Sequence, residues 1–289
     1  MKLQTPVADA PCKVGISYKD KIMMIGSCFT DTVGVQLKDF GFDVCVNPFG
    51  PLYNPASVLS AVRRLITREP FTMDECVQIG AGDERFCSFF HHTSFARATA
   101  EAFISDANKA LEAAADFFRD CNKVIITLGT SWCYRHIERD MIVSNCLKHP
   151  AAEYIREFLP ASQTCKAMQE IMDAETGTDK EFIFTVCPVR HLKDGAHGNQ
   201  ISKASLLIGI ETLLDSPAYR HGDYFPSYEI IMDELRDYRF YAEDMCHPTQ
   251  QTVNYIRERF LAWALPESEK ALLEENIKAF KRTSHRSRD

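Results

Sequence analysis

No CxxC pair occurs anywhere in the 289 residues, and the eleven cysteines, scattered from Cys12 to Cys246, follow no paired spacing. That excludes a zinc ribbon and a thioredoxin-type dithiol. Most of these cysteines sit in apolar runs, where a free thiol behaves as a small hydrophobe. Long apolar stretches are also missing: none reaches the roughly 18 residues of a membrane-spanning helix. The N-terminal MKLQTPVADAPCK lacks the apolar centre of a signal peptide. Positive charge is scarce, with 33 Lys and Arg against 40 Asp and Glu for a net charge of −7. Phosphate backbones need a concentrated basic surface. The one basic cluster, KAFKRTSHRSR at 278–288, reads as a solvated chain end. His91, His92, His191, His197 and His247 show no i, i+4 pairing with an acidic neighbour, so no metal is expected. These absences predict a reduced, cytoplasmic protein with no cofactor, no nucleic-acid partner and no membrane partner.

What is present is an ordinary globular balance, 45% hydrophobic and 25% charged, enough to bury a sizeable core. Strand-like and helix-like segments alternate. KIMMIG (21–26), FDVCVN (42–47), NKVIITLGT (122–130), FIFTVCPV (182–189) and YEIIMDEL (228–235) read as strands. Helical periodicity covers 31–40, 56–68, 99–119, 202–215, 248–265 and 267–280, with Gly41 a C-cap and Pro266 a break. Continuous apolar strands with helices between them predict a mostly parallel sheet covered on both faces, a three-layer α/β/α sandwich. The stretches 70–98 and 131–160 break the rhythm and read as loop insertions over one sheet edge. No linker is visible, so residues 1–289 are expected to form one domain.

In open parallel sheets, ligands bind beyond the carboxyl ends of the strands. Four strand-end loops are rich in reactive or turn residues: GSCF (26–29), NPFGPLYNP (47–55), LGTSW (128–132) and AEDMCHPT (242–249). Asp244 and His247 are three apart, and Pro248 suits the first position of a helix, which places His247 at the helix entrance. A carboxylate so close can accept the imidazole Nδ1–H and leave Nε2 free to take a proton. Ser27, at the end of the first strand, is the natural client for that base, since serine is a poor nucleophile unaided. The neighbouring Cys28 would lie near a helix N-terminus, where a thiolate can be stabilised, but is read as a packing residue. Trp132, Phe49 and Tyr53 lie on strand-end loops, where exposed rings would offer a stacking face to a sugar and buried ones would anchor the loops. Arg190 and His191 follow a strand and could hold a carboxylate or sugar hydroxyl of a substrate.

Five segments carry a family resemblance: GSCF (26–29), NPFGPLYNP, LGTSW, TVCPVRHLKDG (185–195) and MDELRDYRFYAEDMCHP (232–248). Over roughly residues 20 to 265 the chain resembles the GSCFA family, which is similar to the SGNH (GDSL-like) hydrolases. Thr30 stands where the family motif has alanine. The resemblance implies a flavodoxin-like α/β/α fold and a Ser-His-Asp constellation of Ser27, His247 and Asp244. It also implies oxyanion donors in the backbone N–H groups of Ser27 and Gly50. The third block departs from the pattern, with Gly129-Thr130-Ser131-Trp132 where a GxND-like asparagine is expected. Thr130 or Ser131 could supply the missing donor, or Asn145 or Asn47 from a neighbouring loop. The expected activity is hydrolysis of a small acyl ester, with an O-acetylated carbohydrate as the preferred substrate. The alternatives are acyl transfer at the same site, or ligand binding without chemistry.

Overall fold

The computed structural model describes residues 5–7 and 10–286. In chain order the first elements are β1 (Lys21–Gly26), α1 (Cys28–Asp39), β2 (Asp43–Val46) and α2 (Pro55–Thr67). A short hairpin follows, β3 (Cys76–Gln78) and β4 (Phe86–Ser88), then α3 (Ala100–Asp120) and β5 (Lys123–Leu128). Next come β6 (Trp132–His136), β7 (Met141–Val143), β8 (Tyr154–Phe158), α4 (Ala161–Ala174) and β9 (Glu181–Val186). The chain continues through α5 (Gly195–Leu214), β10 (Gly222–Phe225), α6 (Ser227–Glu229), α7 (Gln250–Ala264) and α8 (Lys270–Arg286).

Five strands form the central sheet in the order β10-β9-β5-β1-β2, and every neighbouring pair is parallel. Read in their own sequence, these core strands run 2-1-3-4-5, the flavodoxin-like order, whose switch point lies between β1 and β5. Alternation along the strands explains the two covered faces. Met23, Ile25, Val124, Ile126, Phe182 and Phe184 point into a cluster with Val58 of α2, Phe103 of α3, Met168 of α4 and Leu206 of α5. Ile22, Met24, Ile125 and Ile183 point the other way, against Val33 and Leu37 of α1 and Ile256 and Phe260 of α7. The result is the expected three-layer α/β/α sandwich.

Four expectations are corrected. YEIIMDEL is not a strand: β10 is the preceding Gly222–Phe225, and after Pro226 the chain winds into α6 and π-helical turns over Ile230–Leu235. The buried positions there, Ser227, Tyr228, Ile230, Ile231 and Glu234, follow helical spacing rather than alternation. The insertions at 70–98 and 131–160 are not simple loops, since they contain the β3–β4 hairpin and the antiparallel sheet β7-β6-β8. Finally, α7 starts at Gln250 and is capped by Thr249, whose side chain accepts the Thr252 N–H at 3.2 Å. Pro248 and His247 therefore lie before the helix rather than in its first turn. The basic segment expected to be a loose end is helical through Arg286, while Ser287 and Arg288 lie outside the described residues.

The β1 exit is tightly built. Gly26 has φ +155°, and a Cβ there would stand 2.3 Å from the Thr127 carbonyl oxygen. Its N–H donates to Asn47 Oδ1 at 2.8 Å. Gly26→Ala is expected to destabilise the protein by about 2–4 kcal/mol, because backbone on the neighbouring strand must move. A denaturant midpoint unchanged from wild type would contradict this.

Candidate functional site

The ends of β1, β5 and β9, the loop before α2, and the β6–β8 sheet surround a cleft of about 670 Å³. Its walls include Cys28, Tyr53, Thr130, Trp132, Asn145, Arg156, Arg190, His191, Asp244 and His247. Of the residues expected at the site, this brings together Asp244, His247, Thr130, Trp132, Asn145, Arg190 and His191. Ser27, Asn47 and Gly50 do not line it.

The Asp244–His247 loop is a self-contained unit. Ala242 N–H donates to the His247 carbonyl at 2.7 Å, and Asp244 Oδ1 accepts the N–H groups of Cys246 and His247 at 2.8 and 2.9 Å. The other carboxylate oxygen, Oδ2, lies 2.6 Å from His247 Nδ1. These bonds, led by the His247 N–H, hold the Asp244 carboxyl down to about 2. A carboxylate on Nδ1 fixes the proton there and leaves Nε2 as the acceptor. Arg190 braces the loop: its N–H donates to the Cys246 carbonyl at 3.0 Å and its guanidinium to the Met245 carbonyl at 3.1 Å.

At the other part of the cleft, the junction of β1 and α1 separates two neighbours. Ser27 is the N-cap residue of α1, but its hydroxyl caps nothing; it is 0% exposed and without a partner. Cys28, the first helical residue, lines the cleft. Burial pushes that thiol up to about 12, with the neighbouring Cys187 and Asp31 adding to the effect. The backbone N–H groups of Phe29 and Cys28 at the start of the helix act in the opposite direction. Tyr53 adds a phenol beside it, held protonated chiefly by burial and also by Cys28.

The expected oxyanion donors are committed elsewhere. Ser27 N–H donates to the Thr127 carbonyl at 3.2 Å and Gly50 N–H to the Asn47 carbonyl at 2.8 Å. The Thr130 hydroxyl shares a 2.9 Å bond with Ser202 Oγ and accepts the Trp132 N–H at 3.1 Å. Ser131 is buried, with its N–H on Ser202 Oγ and its hydroxyl on the Ser202 carbonyl. Asn47 is likewise internal, donating to Asp31 at 2.5 Å while accepting from Gly26. The common cause is that sharp, buried strand-end turns must satisfy their own backbone. The N–H groups of Cys28 and Phe29 that open α1, the Tyr53 hydroxyl and Asn145 Nδ2 enter none of the described hydrogen bonds, whereas the Thr30 N–H is committed to the Ser27 carbonyl at 2.8 Å.

The remaining walls are aromatic and cationic. Arg156 lies over the rings of Trp132 and Tyr134 at 5.2 and 4.7 Å and pairs with Asp194. Lys193 lies 5.4 Å from the Tyr134 ring. His191 Nε2 is buried with no partner, and burial, with the charges of Lys203 and His247, holds its imidazole neutral, down to about 3. Among the described residues no His, Cys, Asp and Glu cluster has metal-binding geometry, and His91 lies apart from the cleft in an aromatic core against Phe71 and Phe95. All eleven cysteines are free, and no described helix is long and apolar enough to cross a membrane. Arg156 and Lys193 were not singled out from sequence for the site; of the three loop aromatics, Trp132 and Tyr53 line the cleft and Phe49 is buried in the core.

Fold and cleft together define an α/β/α protein with its polar residues gathered at the switch point of a parallel sheet. Residues 21–260 match the model of the GSCFA family, and the chain belongs to that family. No curated protein and no solved structure matches it.

Proposed function

We propose that the protein is an acyl-ester hydrolase of SGNH-like type whose nucleophile is Cys28 rather than Ser27. The observation that carries this reading is access: Cys28 lines one cleft with the Asp244–His247 pair, while Ser27 is fully buried and does not line it. In the first step the thiol proton passes to His247 Nε2 as sulfur attacks the acyl carbonyl carbon. The carbonyl electron pair moves onto oxygen, and the first-turn N–H groups of α1 and the Tyr53 hydroxyl are the donors available to that oxyanion. Collapse expels the alcohol, which takes the proton from His247 and leaves a thioester. Water then attacks the thioester with His247 as base, and the departing sulfur recovers its proton. Because burial disfavours a free thiolate here, proton transfer accompanies attack rather than preceding it.

The substrate is a small ester, and an O-acetylated sugar remains the preferred class. Trp132 and Tyr134 supply ring faces, and Arg190 and Lys193 are rim cations with no described carboxylate partner, which suits a sugar bearing a carboxylate. Acyl transfer to a second alcohol is the same chemistry with a different acceptor.

A panel of O-acetylated neutral and acidic sugars, with and without added acceptors, tests the proposal. The expected result is ester cleavage with a transient mass increase of one acyl group on the protein. Saturable sugar binding with neither turnover nor adduct would favour the ligand-binding alternative.

A further inference from the structure

Lys203 of α5 is 1% exposed, and its ammonium donates to the carbonyls of Gly129 and Cys187, both at 2.7 Å. Those carbonyls belong to the loops leaving β5 and β9, so one side chain ties two adjacent strand ends beneath the cleft. The Tyr228 ring lies 5.4 Å from Nζ. Other buried cations have carboxylates: Lys123 pairs with Glu181, Lys180 with Glu175 and Arg257 with Glu258. Lys203 has none among the described residues. A buried ammonium without a counter-charge is costly, and two carbonyl dipoles compensate it only in part. Tying loops together needs donors but not a full charge, so the charge itself calls for a reason.

The reason lies in what surrounds it. Gly26 of β1 pairs with Thr127 of β5, and Thr127 with Thr185 of β9, so the chain ends carrying Cys28, Gly129 and Cys187 leave the sheet side by side. The titratable groups around Lys203 are the thiols of Cys28 and Cys187, the imidazole of His191 and the phenol of Tyr228. His191 is kept neutral, and Cys28 is the one of these groups at which negative charge develops during attack. We propose that Lys203 is the resident counter-cation of the negative charge that develops at Cys28, first on sulfur and then on the tetrahedral oxygen. It is a positioning residue: it touches no substrate, and acts through the field under the cleft floor and through the Gly129 and Cys187 loops it holds. Burial pushes the Lys203 ammonium down to about 8, and the cysteines pull it up. It is therefore charged at neutral pH and sensitive to an anion nearby. This inference rests on the assignment of Cys28 as nucleophile.

Iodoacetamide alkylation of Cys28, followed by peptide mass across pH, reads the coupling directly. In Lys203→Met the rate at neutral pH is expected to fall about tenfold and the profile to move up by about one pH unit, as for loss of one nearby opposite charge. An unchanged profile in a folded Lys203→Met protein would overturn the proposal. A second measurement on the unaltered sequence covers the case in which that variant does not fold. NMR titration of the Lys203 side chain, with and without a trifluoromethyl ketone added to Cys28, should show its pKa raised in the adduct. An adduct on Cys28 that leaves the Lys203 titration unmoved would defeat this inference alone. Failure of the ketone to add to Cys28 would defeat the nucleophile assignment and the inference with it.

Discussion

Cys28→Ala is expected to lower ester turnover by about 10³-fold or more, while Ser27→Ala leaves it close to wild type. The two side chains are adjacent, yet they meet different surroundings. Cys28 opens helix α1 and lines the cleft, beside the first-turn N–H groups. Ser27 is enclosed, and its hydroxyl has neither a donor nor an acceptor. Removing an unpartnered buried hydroxyl costs nothing in hydrogen bonding, so Ser27→Ala should be as stable as wild type or more stable by about 1 kcal/mol. Paired kinetics and denaturant midpoints separate the roles. A large activity loss in Ser27→Ala with its stability intact would restore Ser27 as the working residue.

Lowering the pH from 7 to 5 is expected to cost the fold about 4 kcal/mol through two histidines. His91 and His191 are both held down to about 3, mainly by burial. His91 bonds Ser88 Oγ through Nδ1 at 2.7 Å and has no partner on Nε2. The ordinary value in the unfolded chain is about 6.5. Between about 6.5 and 3 the unfolded chain binds protons that the native state refuses. Stability is therefore full above the unfolded value and drains as the pH falls, by about 2 kcal/mol per histidine at pH 5. That is a large share of a typical stability of about 5–15 kcal/mol. Asp31 and Glu229, whose carboxyls burial pushes up, act in the opposite sense, so a variant is needed to isolate the histidines. His91→Gln should flatten the dependence of the denaturant midpoint on pH by about half. Equal midpoints at pH 7 and pH 5 in wild type would contradict the account.

The sheet was legible because its central strands are continuous apolar runs, as in Lys21–Gly26 and Lys123–Leu128, buried on both faces. The Asp244–His247 pair was legible because it is local: three residues, one loop, one hydrogen bond. What depended on rotation was not. Ser27 and Cys28 differ by one position at the point where extended chain becomes helix, and which of them faces the cleft is set by where the first turn begins. The Gly222–Phe225 strand is short and carries a buried Asp223 that accepts the N–H groups of Lys13 and Val14, so it offered no apolar run to find. The N–H groups of Ser27 and Gly50 looked like free donors because sequence gives no account of which turn bonds are already made. Lys203 lies in a helix whose other residues are largely apolar, where a lone lysine reads as a solvated position; only the packing of α5 on the strand ends shows it enclosed.

The most direct test of the central claim is to locate the covalent adduct. Intact protein and His247→Ala would be treated with an activated acetyl ester, quenched in acid and mapped by peptide mass. The account predicts a thioester on Cys28 in wild type that is greatly diminished in His247→Ala. Acylation of Ser27, or labelling of Cys28 that is indifferent to His247, would contradict it.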